Sequence, residues 1–173
     1  MFDLGRYVAC IAEGSAETAI IDILLEADLL IFNREKLLDE TVLRSRSGKA
    51  FEDRYLRKGF DGKITVFRIL DSRREIFTLR KEYQHKVDVI NVITAPEIEM
   101  LVILNEGKYN QYKKSGKKPS EFCKSDLKLK DVKSYDFVSS YFSDPAVLLN
   151  AMKQYREKSR LQRGEYSLLD LLK

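Results

Sequence analysis

Cysteine and histidine are nearly absent from this chain. Its two cysteines, Cys10 and Cys123, stand far apart and cannot build a disulfide framework. A single histidine, His85, excludes a multi-histidine metal site and argues against zinc. No apolar run reaches the roughly 20 residues that a bilayer-spanning helix needs, so no membrane partner is expected. The start of the chain lacks a basic stretch followed by an apolar core and a small-residue cleavage site, so export is not expected and a cytoplasmic location is. Neither GxGxxG nor GxxxxGK followed by Ser or Thr occurs, which weighs against a small phosphorylated ligand held near Gly14. Internal repeats and low-complexity segments are also lacking. What remains is a globular protein of 173 residues, 44% of them hydrophobic. That length suits one domain, with or without a helical appendage, burying roughly two-thirds of its unfolded surface.

Charge is unevenly spread. The net charge of +4 is too small to argue for nucleic acid by itself. Residues 1–42, however, carry nine acids against three bases, and residues 107–133 carry nine lysines against three acids. An acidic first part suits a cation, and a basic later part suits phosphates through Coulomb attraction and counterion release. The alternative is two solvated faces of a charged protein.

The order of elements follows from periodicity. Residues 7–12 (YVACIA) form a strand-length apolar run, punctuated by Glu13-Gly14-Ser15. Ala16 to Ile31 then has apolar residues at helical spacing behind Ser15 as N-cap. Residues 37–43 are ambiguous, with a strand as one reading. Ser47-Gly48 opens a helix through Arg57. Residues 63–70 (KITVFRIL) read as a strand ending at Asp71, 73–84 as a charged helix with Ile76, Leu79 and Tyr83 inward, and 86–93 as an alternating strand. Pro96 suits a first helical turn leading into the apolar stretch to Leu104. The KKSGKK run at 113–118 reads as a loop and Pro119 to Ser125 as a short helix. Ser143-Asp144-Pro145 starts a helix to about Arg160, and the apolar stretch 165–172 suits docking or association. Alternating strands and helices up to residue 94 predict an α/β layer with a mainly parallel sheet of about four strands, followed by a helical part. The organisation expected is an α/β domain over 1–112, with a basic loop and helical extension over 113–173 packed on it.

In parallel sheets, functional groups collect at the carboxyl ends of the strands. Glu13 and Asp71 both stand just past strand ends. If those strands are neighbours, the two carboxylates converge, and Mg²⁺ or Mn²⁺ takes one or two carboxylates with water and phosphate completing its shell. Glu17, four residues after Glu13 at the helix start, can face the same cleft. Gly14 allows a sharp turn and close backbone approach. Arg73 and Arg74 follow Asp71 at a place suited to phosphate contact.

Glu13-Gly14-Ser15-Ala16-Glu17 after an apolar strand resembles the first motif of Toprim domains, found in topoisomerases, primases and nucleases. The resemblance implies a Toprim-like (Rossmann-type) fold with Glu13 as a metal or acid–base residue. The family's second motif, Asp-x-Asp after a later strand, meets Asp71-Ser72-Arg73 here: Asp71 fits the first aspartate, and Arg73 stands in place of the second. Pro96-Glu97-Ile98-Glu99-Met100-Leu101 is similar to a motif of Toprim-like proteins associated with bacterial phage defence, and Glu99 would be the glutamate beside the acidic site. Some relatives work with an ATPase, fused or encoded alongside, so the resemblance also admits an ATPase partner for this chain. It spans about residues 5–160.

Two functions follow as expectations. The first is a nuclease hydrolysing phosphodiester bonds with Mg²⁺ or Mn²⁺ on Glu13 and Asp71, with Glu17 and Glu99 supporting and Lys113, Lys114, Lys117 and Lys118 attracting the nucleic-acid backbone together with Arg73 and Arg74. The second is a catalytically degenerate Toprim-like binding subunit of a defence or DNA-processing complex, which the Arg73 departure favours. Each residue also has a plainer reading. Glu13 and Glu17 suit a helix N-terminus, Asp71 suits an N-cap, Glu99 suits a buried pair with Lys or Arg, and the lysines suit a solvated loop. Arg73 is either a phosphate contact or a replacement that disables metal binding. Cys10 and Cys123 read as core residues and His85 as a surface one. Tyrosines 109, 112, 135 and 141 pack more readily than they stack on bases.

Overall fold

The computed structural model describes residues 2–45, 47–57, 59, 61–94 and 98–173. The three apolar runs form strands β1 (Tyr7–Ala12), β2 (Ile64–Leu70) and β3 (Val87–Ile93). They make one all-parallel sheet in the order β1-β2-β3, with Ile11 opposite Arg68 and Arg68 opposite Asn91. β2 is buried along its whole length, as a central parallel strand covered on both faces must be. The described residues hold three strands rather than about four. Residues 37–43 hold one 3₁₀ turn (Leu38–Glu40), just after another at Arg34–Lys36, with Asp39 and Glu40 at positive φ, and pair with β1 only through isolated bridges, Val8 to Leu37 and Ile11 to Leu43. A positive-φ pair cannot continue a pleated strand, so the outer edge of β1 stays irregular.

Side chains alternate across a strand, and the two faces have separate covers. Val8, Cys10, Ala12, Phe67, Ile69 and Val92 pack against helix α1 (Ser15–Glu26) and the later helical part. Ala9, Ile11, Val66 and Val87 pack with Phe51, Leu56 and Leu79 on the other side. There the cover is α2 (Gly48–Phe51), continued by a π-helical turn over Glu52–Leu56, plus the segment that follows β2. Ser47 caps α2 by accepting from the Ala50 N–H.

The segment expected to be a helix over 73–84 is not one. Only α3 (Lys81–Gln84) is helical, so Asp71 caps no helix, and Ile76 is 82% exposed instead of inward. Tertiary contacts hold residues 75–80 extended. The buried Glu52 carboxylate accepts from the Arg80 N–H (2.5 Å) and from Arg80 Nε (2.8 Å), and Arg68 donates to the Glu75 carbonyl (3.4 Å). Gly48 lets the Thr78 carbonyl lie against α2 where a Cβ would stand.

The remaining helices are α4 (Glu99–Asn105), α5 (Tyr109–Ser115), α6 (Pro119–Ser125), α7 (Tyr135–Tyr141) and α8 (Pro145–Lys158). The expected helix start at Pro96, and Glu97 with it, lie outside the described residues. Part of the KKSGKK run is helical rather than loop. Lys113 and Lys114 occupy the last turn of α5, where basic side chains suit the helix dipole, and Gly116 at φ +67° ends it. Met100, Phe122, Val138, Phe142, Leu148 and Met152 join Val8 and Phe67 in one continuous apolar cluster. Residues 165–172 dock onto it: Leu168 and Leu171 are buried, and Tyr166 bridges to β3. Among the described residues no helix is long and apolar enough to cross a membrane.

Candidate functional site

β1 and β2 are adjacent and parallel, so their carboxyl ends deliver Glu13 and Asp71 to one place. The Glu13 N–H donates to the Ile69 carbonyl (3.1 Å), which continues the ladder by one residue. Its carboxylate Oε2 accepts from the Asp71 N–H (2.9 Å), and the Asp71 carboxyl is near enough to share a hydrogen bond with it when one of the two is protonated. Partial burial, then the shared hydrogen bond, then the negative charges of Asp71 and Glu75 push Glu13 up to about 7; the Asp71 N–H opposes them. Two carboxyls close enough to share a proton fit a divalent cation, because the cation can replace the proton. Among the described residues no group of three or more His, Cys, Asp or Glu is placed to hold a metal ion.

Gly14, not Ser15, is the N-cap of α1, in extended conformation. A Cβ on Gly14 would stand 2.5 Å from Glu17 Oε2, so the glycine gives room for the Glu17 carboxylate to fold back over the turn after Glu13. Glu17 is buried, in the first turn of α1, where the dipole favours it. Glu99 stands at the start of α4, fully buried. Its carboxylate pairs with Lys133 Nζ (3.3 Å), and its carbonyl faces the Cys123 thiol.

Arg73 is engaged within the fold. Its guanidinium forms a two-point pair with Glu165 (2.6 and 2.9 Å) and donates to the Arg160 carbonyl (3.2 Å). Arg74 is exposed, with its N–H on Ser72 Oγ. Lys113, Lys114 and Lys118 are exposed, whereas Lys117 is tied to Asp126 (2.6 Å) and Ser125 (3.0 Å). The tyrosines are mostly packed: Tyr112 against Tyr109 and Phe122, Tyr141 against Phe137 and Phe142. Tyr135 is more exposed and donates to Asp22. Cys10 and Cys123 are buried and His85 is exposed, as expected.

Sequence reasoning passed over Arg68, Glu75 and Asn91. Arg68 is 3% exposed in the centre of the sheet. It contacts the Glu75 carbonyl (3.4 Å), Asn91 Oδ1 (3.5 Å) and Glu75 Oε2 (3.8 Å), and sits over the Phe77 ring (5.1 Å). The signal was one charged residue inside an otherwise apolar strand, ITVFRIL. No protein-family model matches this chain, and neither does any curated protein or solved structure.

Proposed function

We propose that this protein is a Toprim-like enzyme that hydrolyses phosphodiester bonds of nucleic acid with Mg²⁺ or Mn²⁺, in a bacterial defence setting as the sequence resemblance implies. The observation that carries the reading is the Glu13–Asp71 carboxyl pair at the carboxyl ends of neighbouring parallel strands. Glu13 and Asp71 hold the cation, directly or through water. A cation held there would polarise the phosphate and lower the pKa of a bound water, so that hydroxide could add to phosphorus while the P–O ester bond breaks and the sugar oxygen leaves as the alcohol. Glu17, folded back over Gly14 in the first turn of α1, supports the pair. Lys113, Lys114 and Lys118 attract the nucleic-acid backbone, and Arg74 is exposed close in sequence to Asp71. Glu99, held by Lys133, shapes the start of α4.

A second reading is a catalytically degenerate Toprim-like binding subunit that works with an ATPase partner. Arg73 favours it, since it occupies the second-aspartate position and is committed to Glu165. Calorimetric titration with Mg²⁺ and Mn²⁺ separates the two. The enzyme reading expects millimolar or tighter binding that the Glu13→Gln/Asp71→Asn double variant loses, and cleavage of single- or double-stranded nucleic acid lost with it. A well-folded wild type that binds neither cation overturns the metal-enzyme reading and leaves the subunit.

A further inference from the structure

Arg68 stands where an aliphatic residue would serve the core. It lies on the central strand, two residues beyond the buried Val66 on the same face. Glu13 lies two residues beyond the buried Ile11 on that face as well. Taking a guanidinium out of water costs several kcal/mol unless charge and hydrogen bonds compensate. The hydrogen bonds here are incomplete: Nε has no hydrogen-bond partner, and the Nη contacts are long at 3.4 and 3.5 Å. What Arg68 does have is the Glu75 carboxylate at 3.8 Å and, through the strand register, Glu13 two residues beyond its partner Ile11 on the same face. Glu75 in turn acts on Glu13. The buried cation thus lies on the face that leads to Glu13, and its contacts with the Glu75 backbone, the Glu75 carboxylate and the Phe77 ring hold the segment after β2 in place.

We infer that Arg68 and Glu75 are a supporting pair for the Glu13–Asp71 site: Arg68 positions Glu75 as an outer carboxylate that accepts hydrogen bonds from the water around a cation bound there. This rests on the metal-site reading above. Mg²⁺ and Mn²⁺ sites ordinarily retain water, and groups that orient it change metal affinity by about 10–100-fold.

The test is Mn²⁺ titration of the full chain by calorimetry, with thermal unfolding run in parallel. Wild type, Glu75→Gln, Arg68→Lys and the double variant are compared. Glu75→Gln is expected to bind Mn²⁺ about tenfold or more weakly while staying folded at the titration temperature, with a lowered unfolding midpoint because the buried Arg68 loses compensating charge. Arg68→Lys keeps the charge but loses the planar fork, and is expected to weaken binding by a similar factor. The double variant is expected to be no weaker than Glu75→Gln alone, because Arg68 acts through Glu75. Wild-type binding with no loss in Glu75→Gln overturns the inference and leaves the Glu13–Asp71 reading standing. Losses that add in the double variant overturn the positioning role of Arg68. Absence of binding by wild type overturns both.

Discussion

At the scale of single residues, Glu13 is the group whose environment most alters its chemistry. Its folded value, about 7, lies above the ordinary 4.5, because burial and the Asp71 and Glu75 carboxylates disfavour its charge. The folded protein therefore keeps a proton that the unfolded chain releases between those values. Stability is expected to fall as pH rises from about 4.5 to about 7 and to level off above. Chemical denaturation across that range should show this slope in wild type and lose it in Glu13→Gln. Bound cation should reverse the trend, since it displaces the proton and its affinity grows with pH over the same window. Arg68 opposes part of the effect through its positive charge. At Glu99 the plainer expectation of a buried pair is met by Lys133 (3.3 Å). The partner lies 34 residues away, with nothing local to mark it.

At the scale of elements, the instructive case is the segment after β2. Its residue pattern suits a helix with Ile76 inward, yet the chain runs extended and leaves Ile76 82% exposed. Local propensity differences between helix and coil amount to tenths of a kcal/mol per residue. The contacts of Arg80 with buried Glu52 and of Arg68 with Glu75, and the approach of Thr78 to Gly48, together outweigh them. Gly48→Ala should therefore destabilise the protein by roughly 1–3 kcal/mol, because the new methyl meets backbone that has to shift. Thermal unfolding measures it. Gly14→Ala should cost less, since only the flexible end of Glu17 must move. Three strands formed where they were read, since β-branched and aromatic runs between punctuating residues left no competing helical pattern, whereas the fourth, read at 37–43, did not.

At the scale of the whole molecule, the charge asymmetry seen along the chain becomes a surface. Lys113, Lys114 and Lys118 are exposed around the end of α5, while Lys117 is neutralised by Asp126. If the three contact phosphates, replacing each with alanine should weaken nucleic-acid binding and lower the slope of log affinity against log salt by about 1. Lys117→Ala should leave that slope unchanged. Fluorescence anisotropy with a short duplex and a short single strand at several salt concentrations reads both. Equal slopes for all four variants would assign these lysines to a solvated face. The Arg73–Glu165 pair belongs to this scale too, since it fastens the segment after α8 beside the loop that carries Asp71.

The sequence alone determined the three strands, the parallel α/β layering, and the placement of Glu13 and Asp71 at strand ends. Those features come from local periodicity and from the rule that a parallel sheet gathers the residues after its strands at one edge. It also marked the buried cysteines and the exposed histidine. Only the tertiary structure decided that the Asp71 N–H binds the Glu13 carboxylate, that Arg68 lies buried against Glu75, that Arg73 is spent on Glu165, and that residues 75–80 refuse the helix. Each of these depends on groups brought together from distant parts of the chain, and a buried charge takes its partner from whatever the fold places within reach.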